Sequence, residues 1–89
     1  MRPPPRILAA ARLLLGQSQT EVSKASGISR KTIHTAETTG AAGIASVEKL
    51  LRYYTANGVT FIGREGEEGW GLRATFLDFD YGDKNSPTE

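Results

Sequence analysis

Apolar residues recur at helical spacing along the first two thirds of the chain and then switch to alternation. Ile7, Leu8, Ala11, Leu14 and Leu15 mark one face of a helix from Arg6 to Leu15, which Gly16 can stop with a positive φ. Ser18-Gln19-Thr20-Glu21 has the form of a capping box, in which the serine hydroxyl accepts from the third helical amide and the glutamate reaches back to the serine amide. A second helix therefore starts at about Gln19, and it is short because Gly27 follows, with Ile28 as a buried plug. Ser29 can cap a third helix from Arg30 to about Glu37, with Thr32, Ile33 and Ala36 small or branched enough to lie against the second. Residues 38–45 are small and read as a loop, after which Ser46 is placed to cap a fourth helix. On it Val47, Leu50, Leu51 and Tyr54 fall at i, i+3, i+4 and i+7, and Asn57-Gly58 closes it.

Beyond Gly58 the period becomes two. Val59 to Ile62 and Trp70 to Phe79 are β-prone runs separated by a polar, glycine-rich turn, which predicts a hairpin. An isolated two-stranded hairpin is marginal in water, so these strands are expected to add to a sheet with a second copy of the chain. Phe61, Ile62, Trp70, Leu72 and Phe76 are then the expected dimer contacts, rather than a base-stacking platform. The expected fold is mainly α with a C-terminal β-hairpin, four to five helices in all. Its parts are a helix-turn-helix unit over 1–58, a hairpin dimerisation element over 59–81 and a tail over 82–89. Three prolines at 3–5 form an extended arm, the last of them opening the first helix.

At 89 residues this is one small domain. It has no cysteine and a single histidine, His34, so a disulfide framework, a thiolate nucleophile and a histidine metal cluster are all excluded. No apolar run approaches the roughly 18 residues that cross a membrane, and Arg12 interrupts the one stretch that resembles a leader. A cytoplasmic protein is expected. The net charge of +1 conceals a division at Gly58: eight Lys/Arg against three acids before it, a balance of +5, and three against seven after it, a balance of −4. Such polarity suits a first part facing a polyanion and a second part turned away from it.

Residues 19–37 carry the spacing of a helix-turn-helix. Ser23 is small enough for a close helix crossing, Gly27 makes the turn, Ile28 fills the corner, and Val22 and Ile33 are buried between the helices. This stretch resembles the Cro/C1-type (XRE) helix-turn-helix regulators, whose pattern runs approximately Ser-Gln-x-x-Leu-Ala-x-x-x-Gly-Val-Ser-x-x-x-Ile-x-x-x-Glu. The likeness extends from about Ile7 to Ile62. It is greatest to short bacterial forms in which Leu-Gly-x-Ser-Gln precedes the motif and a strand follows the last helix. Here these are Leu15-Gly16-Gln17-Ser18-Gln19 and Asn57-Gly58-Val59-Thr60-Phe61-Ile62, with Gly71-Leu72-Arg73 after the turn. Ser23, Ser26 and Ala36 depart from the usual alanine, leucine and larger aliphatic residue.

The resemblance implies a lambda-repressor-like bundle and a transcriptional regulator binding double-stranded DNA. Arg30, Lys31 and Thr35 take the positions that face base edges, with His34 beside them as a base or phosphate contact or a merely solvated side chain. Arg and Lys can donate to guanine O6 and N7, worth about 1–3 kcal/mol per good contact. Gln19 matches the family's phosphate clamp, Ser29 opens the recognition helix, and Thr32, Thr38 and Thr39 are further phosphate-donor candidates. Arg12 and Glu37 match a family ion pair tying the first helix to the end of the third. Arg2 and Arg6 either track the DNA backbone or minor groove or belong to an unstructured terminus. The expected partners are a second copy of the chain and a near-palindromic operator, with RNA polymerase contact as a further mode of action. The protein would be a repressor or autoregulator, nucleoid-associated when bound, with no cofactor, metal or small-molecule effector.

An alternative of a different class is a protein-interaction module, such as an antitoxin or anti-activator, using the acidic aromatic hairpin. Catalysis has no candidate residues: Glu65, Glu67 and Glu68 lie on a glycine-rich turn without a geometric frame, and no nucleophile triad or phosphate-cradling glycine motif is present.

Overall fold

The computed structural model describes residues 2–76. It contains four helices, α1 (Pro5–Leu15), α2 (Gln19–Ser26), α3 (Arg30–Thr38) and α4 (Ile44–Ala56), followed by strands β1 (Val59–Ile62) and β2 (Gly71–Ala74). The remainder of the expected second strand beyond Phe76, with Leu77 and Phe79, and the 82–89 tail lie outside the described residues.

Local chemistry accounts for most boundaries. Proline occupies the first helical position of α1, where no amide donor is needed, and Gly16 ends the helix at φ +72°, its N–H directed to the Arg12 and Leu13 carbonyls. Both halves of the capping box are made at α2: the Glu21 amide donates to Ser18 Oγ at 3.1 Å and the Ser18 amide to Glu21 Oε1 at 2.8 Å. Gly27 stops α2 at φ +79°.

The start of α4 departs from the sequence expectation. Ser46 is not its cap; the N-cap is Gly43, without a side-chain hydrogen bond, and Ser46 lies inside the first turn. The Val47 amide donates to the Gly43 carbonyl at 3.1 Å, closing that turn, while Ala42 is drawn into the core just before it. Burial of Ala42 and Val47 together sets where the helix begins, overriding the better capping residue.

The core sits where the four helices and the hairpin meet. Tyr54, Leu8, Ile33, Leu50, Val22 and Val59 are the largest of its fully buried side chains, and truncating any of the aliphatic ones to alanine removes about 2–5 kcal/mol where leucine or isoleucine is lost. Strands β1 and β2 pair antiparallel with Val59 opposite Ala74 and Phe61 opposite Leu72. Alternation turns Val59, Phe61 and Leu72 inward, and Phe61 and Leu72 pack on the core of their own chain. What the hairpin offers outward is Ile62, 38% exposed, and Phe76, 36% exposed, with Trp70 half-buried. The turn between the strands is closed by reciprocal backbone bonds of 2.9 Å between Glu65 and Glu68.

Candidate nucleic-acid interface

Helices α2 and α3 cross over Val22, Ile33 and Ala36, all at most 1% exposed, with Ile28 filling the corner after Gly27. Burying that side of α3 turns Arg30, Lys31 and His34 to the outside, where all three are exposed. Ser29 caps the helix, accepting from the Thr32 amide at 3.1 Å and donating its hydroxyl hydrogen to Thr32 Oγ1 at 2.8 Å. The serine proton is thereby committed, while the Thr32 hydroxyl keeps its own hydrogen to donate. Gln19, Arg30, Lys31 and His34 line an open cleft of about 370 Å³. Among the described residues no carboxylate pairs with Arg30 or Lys31.

The last turn of α3 is anchored from behind. Arg12 Nε donates to Glu37 Oε2 at 2.8 Å and Arg12 Nη2 to Glu37 Oε1 at 3.0 Å, a bidentate pair whose side chains are 16% and 4% exposed. Arg12 Nη1 also reaches the Gln17 carbonyl at 2.9 Å. The hydrogen bond to Glu37 raises the Arg12 pKa, outweighing the opposing effect of burial. Gln19 Nε2 joins the same network, donating to Glu37 Oε1 at 3.1 Å. Gln19 therefore stands half in the network and half in the cleft, with one amide hydrogen committed inward and the other left for an anion.

The threonines are less available than their sequence positions suggest. Thr35 Oγ1 donates to the Lys31 carbonyl at 2.9 Å, Thr38 Oγ1 to His34 at 2.8 Å and Thr39 Oγ1 to Thr35 at 3.4 Å. Thr39 Oγ1 also accepts from the Ala41 amide at 3.2 Å. In this arrangement each presents lone pairs and a methyl group, and donating to a phosphate requires the hydroxyl to rotate away from its carbonyl.

The sequence left Arg2 between an arm that tracks DNA and an unstructured terminus; the structure bonds it to the connection between α3 and α4. No local pattern foretells a contact that requires the arm to fold back over the domain. Elsewhere, Tyr54 is fully buried and its hydroxyl has no hydrogen-bond partner among the described residues. Burial holds that phenol far above its ordinary range, and the negative charge of Glu37 adds to the effect. Among the described residues no group of His, Asp or Glu side chains could hold a metal ion, and no helix is long and apolar enough to cross a membrane.

Comparison of the chain with protein-family models, curated proteins and solved structures returns no match.

Proposed function

We propose that this protein is a sequence-specific double-stranded DNA-binding regulator of the Cro/C1 type, built on a lambda-repressor-like helix-turn-helix bundle. One observation carries this reading: Arg30, Lys31 and His34 project together from the amino-terminal half of α3, exposed and, among the described residues, without acidic partners, beside the half-engaged Gln19. Cations on a capped helix tip have the shape and charge to enter a major groove, where Arg30 would pair with a guanine edge and Lys31 with a base or a nearby phosphate. Thr32 and the free hydrogen of the Gln19 amide serve the flanking backbone.

The regulator works as a homodimer, its copies joined through the exposed side of the hairpin at Ile62 and Phe76. Two-fold symmetry would set the recognition helices roughly 34–36 Å apart and match them to a near-palindromic operator. Occupancy then follows the protein's own concentration, and repression of a nearby promoter in the bacterial cytoplasm is the simplest outcome.

The test is selection from a pool of random duplexes. The full chain should enrich a near-palindromic sequence, with affinity falling steeply as salt rises. Arg30→Ala should lose about 1–3 kcal/mol of discrimination at one base pair of each half-site. Enrichment of no sequence by the folded chain would overturn the proposal.

A further inference from the structure

The segment ahead of α1 is fastened to the loop that follows α3. Arg2 Nη2 donates to the carbonyl oxygens of Gly40 and Ala42 at 2.8 and 2.7 Å. Pro3 is buried, and a Cβ on Gly40 would stand 3.2 Å from Pro5 Cγ, at a φ of +75° that few side chains adopt. Between arm and loop lies a cavity of about 210 Å³ bordered by Pro3, Leu8, Ala36 and Val47. Consecutive prolines fix φ along the arm, so little conformational freedom is lost in holding it there.

We propose that Arg2 is a positioning residue for duplex binding, acting through the Gly40 and Ala42 carbonyls; this rests on the DNA-binding reading of α3. Residues 40–43 connect the helix that would read bases to the next helix, so the conformation of this loop sets how the end of α3 meets the phosphate track. Without a donor on them, the Gly40 and Ala42 carbonyl dipoles would repel a phosphodiester brought to this loop. The guanidinium covers both with the two hydrogens of a single nitrogen and orders the loop before any nucleic acid arrives. Binding then bears no further ordering cost at this loop.

The experiment compares wild type, Arg2→Ala and Arg6→Ala. Each is titrated with the selected duplex over a range of salt concentrations, and amide hydrogen exchange is measured on the free proteins. Arg6 is exposed and makes no hydrogen bond to the loop, so its variant controls for loss of one charge from the same arm. Arg2→Ala should bind roughly tenfold more weakly through the lost preorganisation. Its slope of log affinity against log salt should match wild type, and exchange at amides 40–43 should accelerate while core amides keep their protection. A slope smaller by about 0.9 would make Arg2 a direct phosphate contact and overturn the assignment. Unchanged affinity or unchanged loop exchange would overturn it as well. A wild-type chain that binds no duplex overturns the DNA-binding reading itself. The exchange comparison separates that failure from a missing latch, because it is made without DNA.

Discussion

Arg12 and Glu37, 25 residues apart in the chain, are joined by two parallel hydrogen bonds of 2.8 and 3.0 Å that tie α1 to the last turn of α3. The pair fixes how α1 and α3 pack together. Glu37 also takes the Gln19 amide, so one carboxylate holds the helix with the exposed cations, the helix before it and the helix behind it.

Glu37→Ala leaves the Arg12 guanidinium partly buried with only the Gln17 carbonyl as acceptor, and should cost about 3 kcal/mol of unfolding free energy. Replacing Arg12 and Glu37 together with methionine and leucine should recover much of that loss, since no buried charge is then unpaired. Urea denaturation of the single and double variants checks both; a single variant as stable as wild type would show that the pair contributes nothing.

Tyr54→Phe removes a buried hydroxyl that has no partner and keeps the ring, with its edge contact to Tyr53 at 5.6 Å. Stability at neutral pH should hold or rise by about 1 kcal/mol. The phenol is raised by folding, so its protonated form is the one the native state favours. That contribution is complete below the ordinary value of 10.0 and is lost as pH climbs above it. Thermal melts across alkaline pH should therefore show wild type falling away from the phenylalanine variant only above about pH 10, an unfolded-state phenol value.

Gly58 has φ +98°, and a Cβ there would meet Phe76 Cδ1 and Thr75 Oγ1, each at 2.9 Å. Gly58→Ala must both strain the backbone and displace the residues that follow β2, at a cost of about 1–3 kcal/mol. Calorimetry measures the loss, and a variant with wild-type Tm would mean that this junction yields without penalty.

Ile62→Lys tests the hairpin as the dimer contact. Ile62 is on the outward face of β1, opposite Gly71, so the substitution leaves the Val59 and Phe61 packing in place. On the proposed homodimer, sedimentation should show wild type as a dimer and the variant as a folded monomer, with affinity for the selected duplex lowered at least tenfold because two half-sites are no longer engaged at once. An unchanged association constant would move the dimer contact elsewhere.

Helix and turn boundaries were legible wherever the signal lies within a few residues of its effect. Ser18 with Glu21, Ser29 with the Thr32 amide, and the stops at Gly16 and Gly27 all depend on bonds that close inside one turn. The start of α4 was not legible, because Gly43 has no side chain with which to announce a cap and Ser46 supplies a false one. The tip of α3 was visible as a cationic pair after a capping serine. At its other end Thr38 and Thr39 were expected to donate to phosphate, but their hydroxyls turn back to the His34 and Thr35 carbonyls, whereas Thr32 keeps its hydrogen.

The amino-acid order by itself determined the helices, the alternating strands and which side chains carry charge, since propensity, capping and periodicity act over a few residues. Tertiary packing alone decided which donors remain open: Gln19 is half withdrawn to Glu37, and Arg2 is drawn onto carbonyls 38 and 40 residues away. Such contacts exist only once every intervening element has found its place, because the geometry that aligns donor with acceptor belongs to the assembled core and to no segment of it.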